Sequence, residues 1–164
     1  MNIASAIIES KIIRVSMRKV PYIELSTSFD EELYNAIQIL LPQVSRKKPL
    51  PSREDITTIL TSNSTILLTA RYPDEQGAIV GMLAFTYYMV PSGKFGHIDD
   101  VVVESVYRKK GIGLALIERT LIIARETEID QVTLTSNPNR IAANQLYRKI
   151  GFKKLDTNVF SIDM

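Results

Sequence analysis

Apolar residues along this chain switch repeatedly between a period of two and a period near 3.6, and each switch marks a change from strand to helix. Residues 22–25 read as a first strand. Ser28 followed three positions later by Glu31 reads as a capping box, and Leu33, Ile37, Leu40 and Leu41 give one apolar helical stripe up to Pro42. A loop over 43–51 holds Pro49 and Pro51. Ser52 then caps a short helix through Leu60, with Ile56, Ile59 and Leu60 on its apolar side. Three strands are expected at 65–72, 79–90 and 95–103, with turn formers at 74–77 and 91–93 making a meander. Residues 113–124 are apolar nearly all round, as suits a helix packed on a sheet beneath other elements. A short strand at 132–135 follows, then Pro138 in a loop, then a helix from Arg140 to Ile150 closed by Gly151. One or two last strands are expected within 152–160, while 3–15 fit either an added strand or an unordered arm. The order β-α-α-β-β-β-α-β-α-β predicts an α/β fold, one mixed sheet flanked by helices.

A length of 164 residues suits one domain with one substantial core, here 19–164 preceded by an extension over 1–18. Hydrophobic residues at 45% and charged residues at 23% are ordinary for a globular protein. A net charge of +2, without a basic stripe interleaved with aromatics, argues against a nucleic-acid partner. No apolar run approaches the ~20 residues that span a bilayer, and Glu9, Lys11 and Arg14 interrupt the first apolar stretch. A cytoplasmic location without membrane association is the expectation. The chain has no cysteine, which removes disulfides, Cys-ligated zinc and a thiolate nucleophile. No metal is expected.

The most informative local feature is Arg108-Lys109-Lys110-Gly111-Ile112-Gly113, which joins the strand ending at Val103 to the helix that begins with Leu114. Two glycines let the backbone turn tightly and approach a ligand, and the helix start offers unpaired N–H groups and a positive dipole end. With three cations beside it, this is the layout of a pyrophosphate site. It is not a P-loop, since Gly113 is followed by Leu114 and Ala115 rather than Lys and Ser or Thr. Nor is it a dinucleotide fingerprint, since Leu116 stands where a third glycine is needed.

Val101-Val102-Val103, three further residues, then Tyr107-Arg108-x-x-Gly111-x-Gly113 resembles motif A of the GNAT superfamily of acyl-CoA-dependent N-acetyltransferases. Downstream, Ala143-x-x-Leu146-Tyr147-x-Lys149-x-Gly151-Phe152 is similar to motif B of the same superfamily. Gly96-His97-Ile98-Asp99-Asp100-Val101 is similar to the glucosamine-phosphate members. The resemblance implies a sheet whose fourth and fifth strands splay apart around a pantetheine arm, with acetyl-CoA as cosubstrate. It implies that Arg108, Lys109, Lys110, Gly111, Ile112, Gly113 and the amide of Leu114 hold the pyrophosphate, and that the Val101–Val103 strand, Val102 included, aligns the arm through backbone groups of Val101 and Val103. It further implies that Tyr147 serves the leaving thiolate. Asn137 and Asn144 are candidates for a pantetheine contact, although the superfamily's asparagine falls on Arg140. A dimer is common among relatives, so a homodimer is also open.

Strict alternation through the fourth strand places His97, Asp99, Val101 and Val103 on one face, and Ile98, Asp100, Val102 and Glu104 on the other. Asp99 and Asp100 are then not expected to share a cleft. An alkylammonium, with a pKa near ~10, must lose a proton before it attacks a thioester, and an imidazole near ~6.5 is suited to take it. His97 and Asp99 are therefore the candidates for handling the amine proton. The plainer alternatives are a histidine at a strand end and a tyrosine that is only core. Without cysteine, direct attack by the amine in a ternary complex is expected. The acceptor is expected to be a small-molecule or peptide amine. Two other readings stay open: a non-catalytic acyl-CoA binding or sensing module, and a nucleotide-binding domain unrelated to CoA. Arg46-Lys47-Lys48 reads as a solvated loop or a greeting for an acidic substrate.

Overall fold

The computed structural model describes residues 19–45 and 49–162. Residues 1–18 and the Arg46-Lys47-Lys48 run lie outside the described residues. Five strands form one sheet in sequence order: β1 (Tyr22–Ser26), β2 (Thr65–Tyr72), β3 (Ala78–Val90), β4 (Gly93–Val103) and β5 (Gln131–Leu134). β1 to β4 pair antiparallel, and β5 joins β4 in parallel. Four helices cover it: α1 (Glu31–Leu40), α2 (Arg53–Leu60), α3 (Ile112–Glu126) and α4 (Ile141–Ile150). The parallel step from β4 to β5 passes through α3, as a parallel crossover requires.

Two apolar layers hold the sheet. On one face, Leu68, Val80, Leu83, Phe85 and Ile98 pack with Ile112, Leu116 and Ile117 of α3 and Tyr147 of α4. On the other, Leu33, Ala36, Ile37 and Leu40 of α1 and Ile56 of α2 pack on Leu67, Ile79, Met82 and Val102. Arg71 ties the sheet to α1 by donating to Glu24, Glu32 and the carbonyl of Gly77. Its guanidinium beside Glu32 holds that carboxyl below the usual range.

The start of α1 differs from the expected capping box. Asp30 is the cap, and its Oδ1 accepts from the Leu33 amide at 2.7 Å. Ser28 lies too far upstream, so Glu31 occupies the first helical turn rather than the reciprocal position. An ionised carboxylate also answers the positive helix end. Replacing Asp30 by Ala is expected to lower stability by about 1 kcal/mol, against nearly nothing for Ser28→Ala, as urea denaturation would measure. α2 does carry a full capping box, between Ser52 and Asp55.

The last expected strands are absent: no regular structure occurs over the described residues after Gly151. Asp156 and Asn158 are poor strand formers and break the alternation there. Leu155, Val159, Phe160 and Ile162 are all exposed.

The second correction concerns β4. Ala84 pairs with Asp99 and Met82 with Val102, so Leu83 alone faces both Asp100 and Val101. This is a β-bulge, and Asp100 adopts φ 48° within it. The extra residue reverses the side-chain parity. His97 and Asp99 remain on one face, but Val101 and Val103 pack with Ile98 on the α3 side, while Val102 joins the α1 layer.

Candidate functional site

The β4–β5 ladder runs only from Phe95↔Gln131 to Ile98↔Leu134. Beyond Ile98 the two strands part, and a cavity of about 160 Å³ opens between them, lined by Val44, Asp99, Asp100, Val101, Thr135, Arg140 and Tyr147 among others. At ~30 Å³ per water, that is room for about five waters or a small acyl group. The carbonyls of Val101 and Val103 each accept from an arginine side chain. Arg140 Nη2 donates to Val101 at 3.3 Å, and Arg108 Nε donates to Val103 at 3.1 Å.

At the far end of this edge the chain turns into α3. Lys109 (φ 62°) and Gly111 (φ 81°) are both left-handed, and Gly111 caps the helix without a side-chain bond. A Cβ at Gly111 would meet nothing within 4 Å, so its backbone opens onto free space. Gly113, by contrast, has no positive φ, and a Cβ there would make ordinary contacts with Leu146 and Val103. Among the described residues no acceptor meets the amides of Lys109 to Leu114. Such a row, at a helix start, is a backbone anion site.

Two of the three cations are turned elsewhere. Arg108 also reaches Gln43 Oε1, and the Lys110 ammonium lies 4.9 Å from the ring centres of both Tyr72 and Tyr107. Backbone amides rather than side chains thus form the constant part of this turn.

His97 and Asp99 come together as anticipated, with Nε2 and Oδ1 3.6 Å apart. His97 Nδ1 lies 2.9 Å from Thr133 Oγ1 on β5, and that hydroxyl can donate to the Gly96 carbonyl at 3.4 Å. The direction of the Nδ1–Thr133 hydrogen bond follows the imidazole tautomer; with Nδ1 as the donor, Nε2 carries the lone pair. Asp100 lines the same cavity as Asp99, because the bulge brings adjacent carboxylates to one wall that strict alternation would separate. Surrounding protein pushes the Asp100 carboxyl upward, and the charge of Asp99 adds to the shift.

Tyr147, 6% exposed, packs edge-on against Phe152 while lining the cavity. Burial raises its pKa, and the charge of Arg140 pulls it back down. Among the described residues its hydroxyl has no hydrogen-bond partner. The asparagines are used differently. Asn144 Nδ2 donates to the Asn137 carbonyl at 2.9 Å, and Asn137 Oδ1 accepts from the Asn139 amide, so both close the β5–α4 loop. Arg140 is the residue of this loop that reaches the strand edge. Its sequence signal is that the superfamily's asparagine falls on this position. Nothing in the sequence marks Thr133, since its nearness to His97 arises from the β4–β5 register.

Residues 31–152 match the model of the acetyltransferase (GNAT) family. The chain is 40% identical over 60 residues to the probable glucosamine 6-phosphate N-acetyltransferase 2 of Oryza sativa subsp. japonica, covering 37% of this chain and 34% of that one. It is 27% identical over 150 residues to N-acetyltransferase 8 of Homo sapiens, covering 84% and 63% respectively. It therefore spans less than two thirds of the length of either relative. Among solved structures, an aminoglycoside acetyltransferase from an uncultured soil metagenomic sample superposes with a TM-score of 0.72 at 19% identity, over 87% of this chain and 97% of that one. An acetyltransferase of Trypanosoma brucei gives a TM-score of 0.68 at 24% identity, over 87% and 100%. At such identities these two structures share the fold. Strand order, the parted β4 and β5, and the match across most of the domain lead to one assignment: the chain belongs to the GNAT family of acetyltransferases.

Proposed function

We propose that this protein is an acetyl-CoA-dependent N-acetyltransferase that acts on a primary amine by direct transfer. The carrying observation is the gap between β4 and β5, which runs from a row of unpartnered amides to a cavity shared by Asp99 and Tyr147. The residues present fit such a carrier. The amides from Lys109 to Leu114 suit a pyrophosphate, and the edge carbonyls of Val101 and Val103 suit amide donors in the manner of an added strand. When bound, acetyl-CoA supplies the activated acyl group as a thioester. Arg108 and Arg140 release the two carbonyls to it.

The remaining roles belong to the chain. His97 takes the amine proton at Nε2, and Asp99 Oδ1 stabilises the imidazolium that results. Thr133 fixes the ring orientation from the other side. The Tyr147 hydroxyl, without a hydrogen-bond partner among the described residues, offers its proton in the cavity, where negative charge passes from the acyl carbon to sulfur. The acceptor is a small-molecule or peptide amine.

Thiol release from acetyl-CoA in the presence of an amine panel, alongside calorimetry with CoA, tests this reading. His97→Ala is expected to lower kcat by about 10²-fold with CoA affinity kept within about twofold. Binding of CoA with no thiol release for any amine would instead support the non-catalytic module. Failure to bind CoA would remove the proposal altogether.

A further inference from the structure

The proposed chemistry places a developing negative charge in a cavity that two carboxylates already line. Asp99 and Asp100 both belong to its β4 wall, and Asp100 has no hydrogen-bond or ion-pair partner among the described residues. An electron pair moving onto sulfur there meets repulsion unless a cation faces it. Arg140 is the one lysine or arginine among the residues lining that cavity.

Its position is built rather than accidental. Arg140 is the N-cap of α4, and Tyr147 follows seven residues later, two turns along the same helix face. Its own amide is held by the Asn137 carbonyl at 3.0 Å, and its carbonyl accepts from the Asn144 amide at 2.9 Å. The guanidinium then crosses to the Val101 carbonyl on the other side of the gap. The two asparagines thus fix the backbone from which this cation reaches the cavity.

We propose that Arg140 is the charge partner of Tyr147 in serving the leaving group. This rests on the acetyl-transfer reading given above. As the amine nitrogen bonds to the acyl carbon, the C–S bond breaks and its electron pair passes to sulfur. Tyr147 gives its hydroxyl proton to sulfur, and Arg140 balances the phenolate left behind. Nitrogen gives up two protons, one from the ammonium before attack and one as the amide forms; each passes in turn through His97 to solvent, and Tyr147 regains a proton from solvent. Arg140 acts through Tyr147 and is a positioning residue. The charged groups that share the cavity with Tyr147 are Asp99 and Asp100 on β4 and Arg140 on its own helix; burial opposes its ionisation and the Arg140 charge favours it. His97 shares with Tyr147 the wider groove that runs past β5.

Two variants remove the charge in different ways: Arg140→Gln keeps a long polar side chain, and Arg140→Ser supplies a good helix cap, so the helix start is retained in at least one of them. The phenolate absorbance of the ligand-free protein is titrated with alkali, and the Tyr147→Phe titration is subtracted to isolate Tyr147. Tyr147 should ionise at higher pH in both charge-removed variants than in the wild type, and Arg140→Lys should restore the wild-type position. In thiol-release assays kcat should fall about tenfold in Arg140→Gln, with calorimetric Kd for CoA changed less than about threefold. Unaltered Tyr147 ionisation in a folded charge-removed variant overturns the inference, as does a loss confined to KM. If CoA fails to bind the wild type, the acetyl-transfer reading fails by itself, and the titration still decides whether Arg140 and Tyr147 are coupled.

Discussion

Tyr147→Phe should lower kcat by about 10²-fold while leaving both CoA affinity and the unfolding midpoint nearly unchanged. The combination follows from the two environments of this side chain. Its ring is core: it is 6% exposed and packs against Phe152 with ring centres 6.1 Å apart. Phenylalanine keeps that shape. The hydroxyl has no protein hydrogen bond among the described residues, so its removal strands no buried partner. A tyrosine serving only the core would show the same stability and the same turnover. Only a tyrosine whose proton takes part in transfer would lose rate and nothing else. Steady-state thiol release and thermal unfolding on one preparation separate the two, and full turnover in the variant would leave Tyr147 with a packing role alone.

The elements around this residue show how far sequence reasoning reaches. The bounds of β2 are legible because a run rich in Thr, Ile, Leu and Tyr ends at a proline and a turn. α3 could be read because its apolar run is long, although it starts at Ile112 and ends at Glu126, slightly beyond the expected limits. The turn before it was legible for a chemical reason, as a glycine at φ 81° leaves a glycine in the sequence. The bulge left no such mark. Asp100 takes φ 48° without being a glycine, and acidic residues tolerate that region well enough for selection not to demand one. One inserted residue then moved Val101 and Val103 to the other face and brought Asp100 to the cavity beside Asp99. Partners set by register were equally hidden. Thr133 meets His97, and Arg140 meets Val101, only because β5 lies parallel to β4 for four residues and then departs.

That same β4 segment carries a large expected effect on stability. Gly96 immediately precedes His97, and a Cβ built on it would lie 2.5 Å from Phe85 Cε2 and 2.6 Å from Cζ. Phe85 is fully buried and pairs across strands with Ile98, so its ring has no open side to move into. Gly96→Ala should therefore destabilise by about 1–3 kcal/mol through overpacking, despite adding only one methyl group. Chemical denaturation should show a lower midpoint with an unchanged m-value. Phe85→Leu should also destabilise by itself, because it empties part of the core. Combined, the two should cost less than their sum by about 0.5–3 kcal/mol, since the smaller side chain vacates the space the methyl needs. The Gly96 carbonyl also lies 3.4 Å from Thr133 Oγ1, the hydroxyl that contacts the His97 ring. A strand pushed outward at Gly96 should thus lower turnover along with stability, and the double variant should recover both. Additive costs in the double variant would mean that the backbone, rather than the Phe85 ring, excludes a side chain at this position.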